Sequence, residues 1–356
     1  MKKYILFVAT FMILLSSCID STIDDFSSDQ ELYRVQRRGK WGFINKDGEI
    51  IIRPKYKWAL DFSDGLAPVQ IGNKMGYINE KGDIVIKPIF DFADVFNDGL
   101  AIIRTGKHIR ERRYGFIDTE GNIVIEQQFQ SLYPFSDELA MGLKDDKWLY
   151  IDKSGNVVLE EQFDSSSNFS EGLASFKSNG KYGYINKKGE VVIDAKFEGA
   201  FPFSDGLALV NVMAADYPEN IPEGMNLVHL SGYIDITGRF VIEPQYVGGS
   251  DFKNGIAIVS KGADKMAIDK NGNVLFKLPP WGFRYFREGF AAVSINIGNP
   301  IIENFKWGFI DTNGELLIEH KFDEVGDFYK GIARVRMGEK WGYINTSGDY
   351  IWKPTK

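Results

Sequence analysis

Hydrolysis of a glycosidic bond needs two carboxylates flanking it, and Asp64, Asp98, Asp137 and Asp205 are the first residues that invite that reading. Each follows a phenylalanine by two positions and stands directly before a glycine or, at Glu138, its replacement. An aspartate in such a turn caps backbone N–H groups, so a structural role explains all four and a hydrolase is the weakest reading. His108, His229 and His320 lack metal-ligand spacing, and the sequence contains no serine nucleophile elbow, phosphate loop or dinucleotide fingerprint. Asp152-Lys153-Ser154-Gly155 and Asp269-Lys270-Asn271-Gly272 echo calcium loops, but each lacks the later bidentate glutamate. A single cysteine excludes an internal disulfide framework and a Cys-rich zinc site. The expectation is a protein that is not an enzyme and needs no cofactor or metal.

Groups suited to binding are better represented. The segment Leu278-Pro279-Pro280-Trp281-Gly282-Phe283-Arg284-Tyr285-Phe286 carries aromatics that serve either as core or as an exposed ligand platform. Residues Thr105 to Arg113 place Lys107, His108, Arg110, Arg112 and Arg113 around a lone Glu111, which is either a solvated loop or a contact for an acidic ligand. A longer stretch, Asn211 to Leu230, includes Tyr217 and His229 and reads as a lid or docking knob, and Ser294 to Lys306 is a third insertion. The formal charge of −7, with 44% hydrophobic and 26% charged residues, excludes a disordered, collagenous or strongly basic chain and argues against a nucleic-acid partner.

The elements that position these residues repeat. Nine copies of a pattern written W-G-[FY]-I-[ND]-x-x-G-x-[IV]-[VI]-I begin at Trp41, Met75, Tyr114, Trp148, Tyr182, Ser231, Lys265, Trp307 and Trp341. Five of the steps are 34 residues, and the others, 39, 49 and 42, contain the three insertions. Alternating residues from Trp41 to Asn45 read as one strand and Ile50-Ile51-Ile52 as the next, joined by the hairpin turn Asn45-Lys46-Asp47-Gly48. A second turn, Phe62-Ser63-Asp64-Gly65, leads into a short strand, Leu66 to Val69. The recurrent phenylalanine and alanine there predict one buried and one crowded position per unit. Because every insertion falls in the hairpin before the WG strand, all three should leave from one edge or face of the array.

Nine in-phase copies of this pattern resemble the bacterial WG-containing repeat family, also called KWG repeats, over roughly Glu31 to the C-terminus. Read with the phase of the units, they give an all-β fold of nine tandem three-stranded antiparallel meanders. Nine whole meanders fit with nothing left over, so no blade has to be shared between the chain ends. An open superhelical or solenoid array is therefore expected, with a closed propeller-like ring as the alternative.

Residues 1–17 read as a signal peptide, with Lys2 and Lys3 preceding the apolar run Tyr4 to Leu15. Leu15-Ser16-Ser17-Cys18 resembles the bacterial lipobox, which implies a lipidated Cys18. Residues 18–30 form an acidic tether similar to the surface-export signals of Bacteroidetes lipoproteins, and residues 31–356 form the repeat domain. The expected protein is a lipoprotein of the bacterial cell envelope, anchored through Cys18 at the outer membrane and open to surface display. It would present a repeat surface to an envelope or extracellular protein, or alternatively to a glycan.

Overall fold

The computed structural model describes residues 31–160, 163–216, 229–279, 282–298 and 304–355. They form nine antiparallel sheets, each with its strands in chain order. In blade 1 these are Tyr33–Arg37, Lys40–Ile44 and Ile50–Tyr56: the short, WG and Ile/Val strands. Six blades add a strand before the short one, such as Phe92–Ala93, Ser131–Leu132 and Gly199–Ala200, recruited from what reads in sequence as linker. In blades 2 and 8 a single bridge, Ala59 to Val69 and Phe283 to Val293, takes its place.

The glycine of the WG pair has a local steric cause. Trp41 pairs with Tyr56 and Phe43 with Ile52, so two residues on one strand face four on the other, a bulge that bends the Ile/Val strand. Its backbone crosses directly over the glycine. A Cβ on Gly76 would lie 2.6 Å from the Ile86 carbonyl oxygen and 2.8 Å from the Pro88 Cα. Where the glycine is replaced, by Leu149 and by Met266, the register is unbroken at that position, Leu149 opposite Glu160 and Met266 opposite Lys277, and only the shift nearer the turn remains. The bulge and the glycine therefore come and go together.

Each blade buries its apolar face against the next. Tyr77, Ile86 and Phe90 of blade 2 share a cluster with Ala93, Phe96, Ala101, Ile103 and Ile117 of blade 3. The turn phenylalanines and alanines of the repeat are all buried, as the sequence predicts. Seven of these phenylalanines meet the aromatic of the preceding WG strand at centroid distances of 4.7–4.9 Å, among them Phe43–Phe62, Tyr184–Phe203 and Phe309–Phe328. Where Ala267 replaces that aromatic, Phe276 of the neighbouring strand stands 6.2 Å from Phe286 instead. Tyr77, Tyr150, Tyr184 and Tyr233 also donate from their hydroxyls to the next blade, to the carbonyls of Asp94, Ser167, Phe201 and Ser250 at 2.6–2.8 Å.

The ring is closed, which overturns the expectation of an open superhelical array in favour of the propeller. Hairpin glycines pack on side chains of the preceding blade, Gly82 on Ile52 and Gly348 on Ile318, and Gly48 of blade 1 lies against the Ile351 backbone carbonyl of blade 9. Tyr33, Val35 and Ile44 form one core cluster with Ile332, flanked by Tyr343, Ile351 and Trp352. The Tyr33 hydroxyl donates to the Lys330 carbonyl at 2.7 Å, and the Tyr343 hydroxyl to the Arg34 carbonyl. Arg334 lies 3.8 Å from the Trp341 ring centroid and 5.9 Å from that of Trp41. Closure by side chains requires no shared blade, so nine whole units can still make a ring.

Two outcomes follow from this packing. Gly76→Ala forces the bulge to move and should cost about 1–3 kcal/mol, read as a lower urea midpoint at unchanged slope; an unaltered midpoint would reject the steric account. Burial raises the Tyr343 hydroxyl from its ordinary 10.0 to about 12. The neutral phenol is thus favoured in the folded state, and its contribution is complete below pH 10.0 and lost as pH rises from there to about 12. Tyr343→Phe should remove that portion of the alkaline loss of stability in denaturation measured across this range.

Candidate functional site

Antiparallel order places the Phe-Ser-Asp-Gly turns and the Asx-Gly hairpin turns at one end of every blade, and the hairpins carrying the insertions at the other. At the turn end, Ser63-Asp64-Gly65-Leu66 is a two-residue hairpin with φ of 51° at Asp64 and 74° at Gly65. The Asp64 carboxylate accepts a hydrogen bond from the Gly99 N–H of the next blade at 2.8 Å, Asp137 from Gly172 at 2.5 Å and Asp205 from Gly255 at 2.7 Å. Glu171 does the same to Gly206, and Glu288 accepts from both Lys330 and Gly331. The hydroxyls of Ser136, Ser170 and Ser204 donate to the carbonyls of Phe169, Phe203 and Phe252, each at 2.7 Å. Asp98 pairs with Lys153 of the following blade. The carboxylates that resemble acid–base candidates thus tie each blade to its neighbour.

The two segments that echo calcium loops are hairpin caps. Asp152 accepts from the N–H groups of Ser154 and Asn156, both at 2.9 Å, and the hydrogen bond from the Asn156 side chain leads the interactions that hold its carboxyl below the usual range. Asp269 is held down likewise, led by Asn273. Among the described residues no group of three or more His, Cys, Asp or Glu is placed to hold a metal.

At the opposite end, Ile109–Glu111 forms a 3-10 turn whose neighbours include the basic residues singled out above. Arg110 is exposed, whereas Arg112 and Arg113 are half-buried; Arg113 donates to the carbonyls of Arg110 and Arg112 at 3.1 and 2.8 Å. His229 is exposed at the start of its strand in blade 6, opposite Met213. The basic turn and His229 therefore share an end of the ring but have two blades between them. Cys18, Tyr217 and Trp281 lie outside the described residues.

Phe283 and Tyr285 divide between core and surface. Phe283 packs against the cluster that contains Leu278, Phe286 and Val293, with the Lys265 ammonium 4.9 Å from its ring centroid. Tyr285 is 57% exposed and forms one wall of a cleft of about 230 Å³ whose other lining includes Phe201, Leu209, Gly249, Asp251 and Lys253. Phe201 belongs to blade 6, Asp251 to blade 7 and Tyr285 to blade 8. The sequence reading did not single out Phe201 or Asp251. The available signal was their position: they lie one or two residues before the turn phenylalanine, where residue type varies from blade to blade.

Three carboxylates occupy the position immediately before that phenylalanine. Asp61 makes a two-point contact with Arg34 at 2.6 and 3.0 Å, and Asp327 lies 3.8 Å from Arg284. No hydrogen bond to the Asp251 carboxylate occurs among the described residues, and burial pushes it above the usual carboxylate range, with Lys253 opposing that rise.

The WG containing repeat profile matches residues 41–74, 75–107, 114–148, 150–182, 182–212, 232–263 and 307–341, more than half of the chain. The chain belongs to the WG-containing repeat family. The unit of this WG-repeat ring that begins at Lys265 escapes the profile, consistent with Lys265, Met266 and Ala267 replacing the signature residues. No curated protein matches the chain. Among solved structures, a eukaryotic initiation factor is 11% identical and aligns over 92% of this chain and 96% of its own, with a TM-score of 0.61, a similarity of fold. Hsv2 of Kluyveromyces lactis, 9% identical over 76% of this chain and 89% of its own, has a TM-score of 0.38. A protein of unknown function from Bacteroides caccae, 17% identical over 60% of this chain and 93% of its own, has a TM-score of 0.25.

If the turn carboxylates serve architecture, Asp205→Ala leaves the Gly255 N–H without its acceptor and should cost about 1–3 kcal/mol, while Asp205→Asn, which keeps an acceptor, should cost less. Urea denaturation of the two variants separates them, and equal stability with the parent would remove this role.

Proposed function

We propose that this WG-repeat propeller is a non-catalytic interaction scaffold, tethered through a lipidated Cys18 to a membrane of the bacterial envelope. The observation that carries this reading is the use of the turn carboxylates. Asp64, Asp137, Asp205, Glu171 and Glu288 each bind a backbone N–H of the next blade, so their chemistry is spent on holding the ring together. The aromatics of the repeat are likewise committed to the gaps between blades. Recognition then falls to the parts that vary, above all the insertions at the loop end, where Arg110 and His229 are exposed. A rigid ring that offers many independent loops suits a protein partner of the envelope or the cell exterior.

The tether rests on Leu15-Ser16-Ser17-Cys18 and its similarity to the lipobox, together with the polar, acidic run that follows. With the positive Lys2 and Lys3 removed, the remaining chain is still more acidic than −7, which disfavours adsorption to anionic lipid, so the acyl chains would supply the attachment.

Cys18→Ser should abolish incorporation of labelled palmitate and move the protein from the membrane to the soluble fraction; a variant that stays labelled and membrane-bound refutes the tether. Crosslinking in intact cells, with residues 211–230 shortened, tests the scaffold separately. Loss of a specific crosslinked protein is expected, and an unchanged pattern would exclude that loop from recognition.

A further inference from the structure

We propose that the cleft between Phe201 and Tyr285, with Asp251 inside it, binds a neutral sugar residue of a glycan. This site lies at the turn end of the ring and is independent of the protein-docking surface at the loop end. Its two aromatic walls are exposed, Phe201 by 41% and Tyr285 by 57%, although the aromatics that hold blades together are buried. Packing between blades does not require rings at these places. The Phe201 carbonyl, not its ring, takes the hydrogen bond from Tyr184.

The ring itself supplies a comparison. An equivalent crevice at blades 2 to 4 has much the same backbone and a volume of about 320 Å³, but Val95 and Pro134 stand there in place of Asp251 and Tyr285. The crevice is thus a property of the fold, and the pairing of a carboxylate with aromatic walls is particular to blades 6 to 8. Gly249 lines the cleft without a side chain on the blade 7 side.

The chemistry selects the ligand. A sugar ring has an apolar C–H face that stacks on an aromatic side chain and hydroxyls that donate to a carboxylate. At about 230 Å³ the cleft lies below the range of about 300–1,000 Å³ usual for drug-sized ligands, which fits one ring of a longer chain. Asp61 and Asp327 have arginines beside them, whereas the Asp251 carboxylate has no hydrogen-bond donor among the described residues and is free to accept from a hydroxyl. Lys253 on the same blade opposes a cationic ligand, and Asp251 opposes an anionic one.

Affinity electrophoresis of the detergent-solubilised full chain tests this in gels containing soluble glucan, mannan, galactan or xylan, with polygalacturonate as an anionic arm and free choline as a cationic competitor. Retardation is expected in at least one neutral gel and should be insensitive to choline. Tyr285→Ala and Phe201→Ala should each weaken it about tenfold or more, the equivalent of about 1.4 kcal/mol, and Asp251→Asn should weaken it as well. Tyr133→Ala, which removes an exposed ring elsewhere on the turn end, should leave it unchanged, and near-UV circular dichroism should show all variants folded. The proposal is overturned by migration unaffected in every neutral gel, by retardation in polygalacturonate alone, by competition from choline, or by undiminished binding in Tyr285→Ala or Asp251→Asn.

Discussion

A phenylalanine set against the aromatic ring of the preceding blade is the contact on which the rest of this molecule depends. A three-stranded meander has too little apolar surface to be stable alone, and the Phe43–Phe62 contact and its counterparts let each blade complete its core with residues of the next. The bulge over the WG glycine belongs to the same arrangement, because it bends the Ile/Val strand as the chain leaves for its neighbour. After Phe90 the chain reaches the opening strand of blade 3 at Phe92 with only Asp91 between them. The glycine makes room for the crossing, and the crossing brings the next turn phenylalanine to the ring it must cover.

Much of this was legible because periodicity reports neighbour contacts. Three strands of each blade, both turns, the buried phenylalanines and alanines and the placement of insertions in one class of hairpin all follow from fixed spacing between residues of known preference, whereas the opening strand of six blades read as linker. Closure did not follow, since a glycine such as Gly82 packs on Ile52 in the same way whether the array spirals or joins. What decides it is the rotation per blade, a sum of small backbone adjustments that leaves no residue signature. The seam residues Tyr33, Tyr343 and Arg334 are of types found throughout the chain. Blade 7 offers a smaller lesson: the lost aromatic is replaced by Phe276, at a place where blades 1 to 6 and 8 carry Ile or Leu, while the conspicuous Trp-Gly of the linker draws attention elsewhere.

The two ends of the ring differ in how freely they can change. At the turn end, Asp205, Ser204 and their counterparts join one blade to the next through backbone groups, so residues there answer to two blades at once. At the loop end, the hairpin from Gly106 to Arg112 is tied at its base, where the Gly106 N–H donates to Asp91, itself paired with Lys74 of blade 2, and beyond that point a 3-10 turn is accommodated. Asp251, Phe201 and Tyr285 are an exception within the constrained end: they neighbour the fixed turns without taking part in them. Their types were hard to interpret from sequence because the meaning of each depends on residues from two other blades.

The junction of blades 9 and 1 holds through packed side chains and hydroxyl-to-carbonyl bonds rather than through strands exchanged between them. The circle is therefore closed without a strand common to both chain ends, although among the described residues no turn phenylalanine contributes to this gap as it does to the others. Such a molecule is topologically indifferent to circular permutation: new termini opened in an exposed hairpin, with the old ones spliced, would leave each blade-to-blade contact intact. The order of blades in the gene and their order around the circle are then separable, and a lineage could rotate one against the other without rebuilding the fold.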